Sequence, residues 1–204
     1  MCPLIYKDFR LSNPLNSESR AKPETTILIL YKGYNLVSYP AETMEYGNLY
    51  NLMEALGGSA VISRVHVFDP VSQTFAEVGY DDTGQPYGQN HELLAGQGLP
   101  GLIIYAKEDM TFPFNSKYCH VWNLRAGANL AGTACVPSGL SAFQLLPAIG
   151  DETVVSSIQR YNPGTGKFET AGYRNGQAIG VDFSIKAGEG YFIHMIQDVP
   201  GFRP

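Results

Sequence analysis

Short apolar runs separated by turn-forming residues dominate the chain. The strongest runs, residues 27–31 and 102–105, have the length of single strands. Leucine, methionine and phenylalanine recur at helical spacing around residues 49–56 and 141–149, and a glycine follows each of these two stretches. The pattern predicts a mainly β protein, at the margin of the α+β class, with a few short helices.

Turn residues mark the places where strands reverse. Residues 69–72 and 162–166 each begin with Asp-Pro or Asn-Pro between two strand-like runs, and each predicts an antiparallel hairpin. Residues 82–84 (Asp-Thr-Gly) and 175–176 (Asn-Gly) predict a further tight turn after each hairpin.

The chain contains an internal repeat. Five pairs of segments match in the same order: residues 33–36 with 127–130, 52–57 with 145–150, 65–75 with 158–168, 79–80 with 172–173, and 95–98 with 187–190. The offset between partners stays between 92 and 94 residues (187 − 95 = 92 and 127 − 33 = 94). A common order with so little drift indicates a tandem duplication.

The duplication predicts two small antiparallel β domains in tandem, over residues 25–112 and 113–204, each with one short helix. We expect each domain to open with a hairpin, formed by residues 26–31 and 36–39 in the first domain and by residues 118–124 and 129–135 in the second.

Residues 1–24 fall outside both copies. They contain Asn13-Pro14 and Lys22-Pro23, which are typical of an extended arm rather than a packed element. Such an arm can lie over the chain's own sheet, or it can reach a neighbouring molecule and add a strand there, and the alternative is a disordered leader. The first residues lack the basic start and apolar stretch of a signal peptide.

Composition and charge narrow the range of partners. Hydrophobic residues make up 44% and charged residues 16% of the 204 residues, so a buried core is expected. The formal net charge is −5 without a cluster of Lys and Arg, which argues against nucleic acid, because phosphate neutralisation supplies most of that affinity. No apolar run approaches the roughly 18 residues of a membrane span.

Two of the three cysteines are candidates for a disulfide. A hairpin turning near Gly127 would place Cys119 opposite Cys135, because each lies eight residues from the turn (127 − 119 = 135 − 127 = 8). The alternative is two free buried thiols. Cys2 lies in the predicted arm, and an odd count does not by itself indicate an oxidising compartment.

The order of the repeated blocks resembles a known domain. Residues 33–40 read Gly-Tyr-Asn-Leu-Val-Ser-Tyr-Pro, Phe68-Asp69-Pro70 follows the predicted helix, and residues 188–192 read Gly-Glu-Gly-Tyr-Phe. This resembles the "Gly-Trp-Asn-Leu-Ile-Ser-x-Pro … Gly-x-Gly-Tyr-Trp" repeat domain of secreted and surface-attached bacterial proteins, although Tyr34 and Ala128 replace its Trp. The resemblance covers residues 26–110 and 118–198. It implies extracellular modules of larger assemblies, without catalytic residues.

Motifs that suggest a cofactor or a protease have simpler interpretations as turns. Gly96, Gly98 and Gly101 have dinucleotide-binding spacing, but a strand-like run follows where that site needs a helix, so no cofactor is expected. Asp82-Thr83-Gly84 matches the aspartic-protease triplet. Its aligned partner, Asn175-Gly176, lacks the second carboxylate that this chemistry requires.

The remaining candidates for chemistry are isolated. Ser141 lacks the surroundings of a nucleophile and is interpreted as a helix N-cap or first-turn residue. The histidines do not have the close spacing of metal ligands: His66, His91, His120 and His194. The sequence therefore predicts neither a catalytic nor a metal site, and the protein is not expected to be an enzyme.

The leading hypothesis is a structural or adhesive module at the cell surface or outside the cell, which binds proteins or assembles with itself. One alternative is a carbohydrate-binding module that stacks sugars on Tyr46, Tyr50, Tyr80 and Tyr87, although strand aromatics more often pack in a core or across strands. Another alternative is a structural component of a virion or particle.

Overall fold

A computed structural model describes residues 26–39, 46–92, 101–114, 119, 121–132 and 134–204. The predicted N-terminal arm and Cys2 lie outside these ranges. No helix in the described part of the chain is long and apolar enough to cross a membrane.

The described part of the first half of the chain forms two strands, then two short helices, then five strands. These are β1 (Thr26–Leu30), β2 (Gly33–Ser38), α1 (Leu49–Ala55), α2 (Gly58–Val61), β3 (Ile62–Asp69), β4 (Thr74–Tyr80), β5 (Pro86–Gly88), β6 (Gly101–Ala106) and β7 (Met110–Phe114). Strand β7 continues past the predicted domain boundary at residue 112.

The second half repeats this order with one helix fewer among its described residues. Its elements are β8 (Trp122–Leu124), β9 (Gly127–Gly132), α3 (Ala142–Ile149), β10 (Val155–Asn162), β11 (Lys167–Arg174), β12 (Gln177–Gly180), β13 (Gly190–Met195) and β14 (Val199–Phe202).

The two halves have the same topology. The first contains a five-stranded sheet in the order β2-β6-β3-β4-β5, and the second contains the order β9-β13-β10-β11-β12. A two-stranded ribbon accompanies each sheet, β1-β7 in the first half and β8-β14 in the second. All these pairings are antiparallel. The prediction of a mainly β fold built from two duplicated antiparallel domains is confirmed.

The hairpins predicted at the start of each domain were wrong. Strand β1 pairs with β7, and β2 pairs with β6, so consecutive strands enter different sheets. The buried Asn35 side chain provides the reason: it accepts from Tyr31 N–H at 2.9 Å and donates to Tyr31 C=O at 2.7 Å. These bonds use the N–H and C=O of Tyr31 at the chain reversal, where a hairpin would form its first hydrogen bonds between the two strands.

The second domain repeats this arrangement at the equivalent position. Asn129 accepts from Arg125 N–H at 2.8 Å and donates to Arg125 C=O at 2.7 Å. Strand β8 accordingly pairs with β14 and β9 pairs with β13. The matched Gly-x-Asn-Leu blocks are therefore a structural motif that separates two strands.

The strand registers also correct one matched block. Gly101 pairs with Ser38, and Gly190 pairs with Gly132, the residue equivalent to Ser38 (132 − 38 = 94). Gly190 thus corresponds to Gly101, and its predicted match to Gly98 was wrong. The similar Ala-Gly-x-Gly sequences lie in the connections that precede β6 and β13. These connections differ in length by three residues, so the similarity does not mark equivalent positions (101 − 98 = 3).

Each domain has its own core, on the sheet face that its helices and ribbon cover. In the first, α1 contributes Leu49, Leu52 and Met53, which are buried against the sheet. In the second, α3 packs similarly, and the ribbon contributes Trp122, whose Nε1–H donates to Gly132 C=O at 2.9 Å. The domains contact each other through the opposite faces of the two sheets.

Candidate functional site at the domain junction

The two domains meet through equivalent residues. Leu36 and Leu130 are buried at the contact and occupy matching positions (130 − 36 = 94). Phe68 and Tyr161 form a second matching pair (161 − 68 = 93), and the partly buried Phe192 packs beside them. The junction therefore has approximate two-fold symmetry within one chain, like the interface of a symmetric dimer.

Glycines allow the main chains to approach closely at this junction. A Cβ on Gly101 would lie 2.6 Å from Leu130 C=O, and a Cβ on the equivalent Gly190 would lie 2.9 Å from Val37 C=O. Ser38 N–H donates to Gly188 C=O at 2.9 Å, so the domains are also joined by main-chain hydrogen bonding. A side chain at either glycine would push the domains apart.

On one side of the junction, Gln73 covers the open edge of β9. Its Oε1 accepts from Ala128 N–H at 2.8 Å, and its Nε2 donates to Ala128 C=O at 3.1 Å. The side-chain amide thus bonds to Ala128 as a paired strand residue would. Gln73 has a φ of 56°, in the left-handed region that its hairpin turn requires.

On the other side, the equivalent cover is missing. Gly166 occupies the position that matches Gln73 (166 − 73 = 93), and Tyr34 occupies the position that matches Ala128 (128 − 34 = 94). A Cβ on Gly127 would lie 2.8 Å from Gln73 Oε1, whereas a Cβ on Gly33 would have no heavy atom within 4 Å. By the approximate two-fold symmetry of the junction, Gly166 corresponds to Gln73 and supplies no side chain to the position beside Tyr34, which we call the gap beside Tyr34.

The gap adjoins a cleft between the two domains, which we call the aromatic cleft. Residues of both domains line it: Tyr34, Leu36, His66, Phe75, Ile103, Tyr161 and Phe168. Phe75 and Phe168 are each 50% exposed, and Tyr34 is 41% exposed. Large apolar rings that remain in contact with water in a concave surface are typical of a binding site.

His66 is the polar side chain in the aromatic cleft that can titrate near neutral pH. Its Nδ1 lies 3.3 Å from Glu77 Oε2, and Glu77 Oε1 accepts from Tyr87 O–H at 2.6 Å. Burial lowers the pKa of His66, and Glu77 opposes this shift while Arg64 adds to it. The imidazole is therefore neutral at pH 7, and a Glu77 carboxylate beside Nδ1 favours the tautomer with its proton there.

An apolar edge strand continues the same surface. Ile27 and Ile29 of β1 are 60% and 54% exposed, and Tyr31, which directly follows β1, is 48% exposed. They line a groove whose opposite wall is Tyr161, Pro163 and residues 186–189 of the second domain. We call this the β1 groove; it shares Leu36 and Tyr161 with the aromatic cleft, so the two form one surface across the junction.

Cys119 and Cys135 form a disulfide with their Cα atoms 5.0 Å apart. The geometry differs from the hairpin that led to this expectation, because Cys119 precedes β8 and Cys135 follows β9, and these strands belong to different sheets. The disulfide therefore links the start of the ribbon to the end of the sheet's edge strand.

The four tyrosines proposed for sugar stacking do not form one exposed surface. Tyr80 is buried and donates to Glu54, and both burial and this carboxylate raise the pKa of Tyr80. Tyr50 donates to Tyr87 C=O at 2.7 Å. Tyr46 packs against the rings of Phe112 and Phe114, and Tyr87 is 38% exposed.

The other sequence motifs lie in turns and caps. Asp81 Oδ1 accepts from Thr83 N–H at 2.8 Å, which stabilises the Asp82-Thr83-Gly84 turn. Ser141 is the N-cap of α3, and its N–H donates to Gln144 Oε1 at 2.9 Å. Among the described residues, no three His, Cys, Asp or Glu side chains are grouped to hold a metal. His120, Gly96 and Gly98 lie outside those residues.

The sequence interpretation did not identify the junction residues, Gln73 and Gly166. The two matched hairpin turns differ in sequence at this position. That difference can be interpreted only once the topology shows that each turn lies beside the other domain. Comparison of the chain with protein-family models, with curated proteins and with solved structures found no match.

Proposed function

We propose that the chain is a non-catalytic structural or adhesive module, at the cell surface or outside the cell, that associates with further copies of itself. The observation that carries this proposal is the surface formed by the β1 groove and the aromatic cleft. It exposes Ile27, Ile29 and Tyr31 in a row and continues to Phe75 of the first domain and Phe168 of the second. Contiguous exposed apolar surface of this kind marks protein interaction sites.

One feature of the scaffold supports a role outside the cytoplasm, and a second supports a role as a building block. The Cys119–Cys135 disulfide is of a kind that persists in oxidising compartments. The close contact of Gly101 and Gly190 with the opposite domain holds the two halves in one arrangement. A building block benefits from such a fixed arrangement, because assembly then orders fewer groups and costs less conformational entropy.

Polar side chains that have hydrogen-bonding or ionic partners within their own domains support a non-catalytic role. Asn35 and Asn129 are buried, and their amides bind main-chain groups of their own turns. Glu77 accepts from Tyr87 and lies beside Arg64 and His66. These side chains are engaged in stabilising the turns and the sheet face.

A carbohydrate ligand is the second candidate, and the exposed rings of Tyr34 and Phe75 favour it. Both rings lie in the aromatic cleft, where a sugar ring can stack against them. This candidate uses different residues from the four tyrosines expected from the sequence. It requires a binding site and no assembly, so the two functions differ in their effect on molecular mass.

Light scattering across a wide concentration range, at near-physiological salt and without reductant, tests the proposal. We expect the mass to rise above the 22.3 kDa of one chain as concentration increases. A mass of 22.3 kDa at every concentration would contradict self-association. In that case a panel of soluble and insoluble glycans tests the second candidate.

A further inference from the structure

Among the described residues, the N–H and C=O of Tyr34 have no hydrogen-bonding partner on the side away from β6. Along an antiparallel strand, alternate residues direct both N–H and C=O away from the paired neighbour. Ser38 N–H points away from β6, because it donates to Gly188 C=O at 2.9 Å. Leu36 and Tyr34, two and four residues earlier, therefore point the same way. In the described part of the chain, no side-chain amide covers Tyr34 as Gln73 covers Ala128.

The glycines at the two equivalent positions are uncrowded. A Cβ at Gly166 would meet only Tyr161 Oη, at 3.8 Å, and a Cβ at Gly33 would meet nothing within 4 Å. The Gln73 amide occupies the corresponding space in the other half of the junction, so the approximate two-fold symmetry predicts that one amide fits beside Tyr34 as well. The adjoining aromatic cleft provides a place for the side chain of the bound residue.

We propose that the gap beside Tyr34 binds an extended residue from the N-terminal segment, residues 1–25, of a second copy of the chain. The N–H and C=O of that residue pair with Tyr34 as the Gln73 amide pairs with Ala128, and an apolar side chain enters the aromatic cleft. This inference rests on the proposed self-association and names the contact that produces it.

The N-terminal segment has the reach and the pattern for this role. At about 3.3 Å per extended residue, its 25 residues span roughly 80 Å, far enough to reach a neighbouring molecule. In an extended conformation Ile5, Phe9 and Leu11 would share one side with Lys7, and residues 4–11 contain no Pro, so each can donate its N–H. The segment joins the fold at Thr26, where β1 begins to line the β1 groove.

Substitution at Gly166 tests the contact in the full-length chain. Gly166→Gln introduces the amide that Gln73 supplies in the other half, and its φ of 65° is close to the 56° that Gln73 adopts. Gly166→Ala is the matched control, because it has the same backbone requirement and no amide. We expect light scattering to show that G166Q remains at 22.3 kDa at concentrations where the wild type and G166A assemble.

A peptide of residues 1–25, with Cys2→Ser to prevent disulfide exchange, provides a second measurement. In excess, it should lower the mass of wild-type assemblies, and a scrambled peptide should not. Its fluorescence anisotropy should show binding to G166Q roughly tenfold weaker than to G166A, because two main-chain hydrogen bonds are lost.

The outcomes separate the inference from the function on which it rests. If the wild type and G166Q assemble alike, or the peptide binds both variants equally, the contact at Tyr34 is wrong while self-association stands. If the wild type stays at 22.3 kDa, self-association itself is wrong, and so is this contact between copies. Circular dichroism of G166Q and G166A verifies that both variants fold.

Discussion

Asn35 and Asn129 show how one residue type determines the path of the chain in both domains. Each amide binds the main chain of the residue four positions earlier and also donates across the sheet, Asn35 to Ile104 C=O and Asn129 to Ile193 C=O. A buried amide that satisfies several main-chain groups at once is expensive to remove, because those groups lose their partner inside the protein. The Gly-x-Asn-Leu motif therefore has a structural explanation.

Replacing Asn129 by Ala should destabilise the second domain by about 2 kcal/mol, since the variant leaves the N–H and C=O of Arg125 without their side-chain partner. Chemical denaturation at pH 7 measures the change in the free energy of unfolding. The control is Asn123→Ala on β8, where the amide is exposed and accepts one hydrogen bond within the described part of the chain, from Gly201 N–H. Equal effects of the two substitutions would show that the buried network does not matter.

At the scale of elements, the sequence predicted those hairpin turns and helix ends that depend on a few adjacent residues. The turns at residues 69–72 and 162–166 predicted the β3–β4 and β10–β11 hairpins, which pair as expected. Gly57 and Gly150 ended the predicted helices α1 and α3 within two residues of their observed ends. These features depend on backbone preferences of a few adjacent residues, which is why the sequence alone reveals them.

The sequence did not reveal the two ribbons, because their pairing is long-range. Strand β1 pairs with β7, about 80 residues away (110 − 30 = 80), and no turn residue between neighbouring strands signals such a pairing. The small apolar segments 26–31 and 33–38 resemble a hairpin when viewed alone. The sequence did not reveal the candidate site for the same reason. Gly166 is relevant to binding only because the symmetry of the fold relates it to Tyr34 of the other domain.

Reduction of the Cys119–Cys135 disulfide should lower the stability of the second domain by about 3 kcal/mol, because the bond closes a loop with a sequence separation of 16. Denaturation with and without a phosphine reductant measures this change. A Cys119→Ser/Cys135→Ser variant should unfold at the reduced midpoint and should not respond to reductant. Identical midpoints for the oxidised and reduced wild type would contradict a stabilising role for this disulfide.

At the scale of the whole molecule, duplication has produced two halves that are symmetric in fold and different at one contact. Equivalent residues form the junction, yet Gln73 covers one strand edge and Gly166 leaves the other open. The exposed faces differ as well: Tyr34, His66 and Glu77 of the first sheet correspond to Ala128, Gln159 and Thr170 of the second (128 − 34 = 94; 159 − 66 = 170 − 77 = 93). The binding surface therefore occurs once per chain, which favours directional assembly.

The most direct test of the account is whether the surface across the junction drives association. Ile29→Lys places a charge in the middle of the exposed row on β1, and Val71→Lys places the same charge on a residue that is 78% exposed in the β3–β4 turn. Light scattering of both variants should show V71K assembling like the wild type and I29K remaining at 22.3 kDa. Assembly of I29K to the wild-type mass would contradict the central claim that this surface builds the assembly.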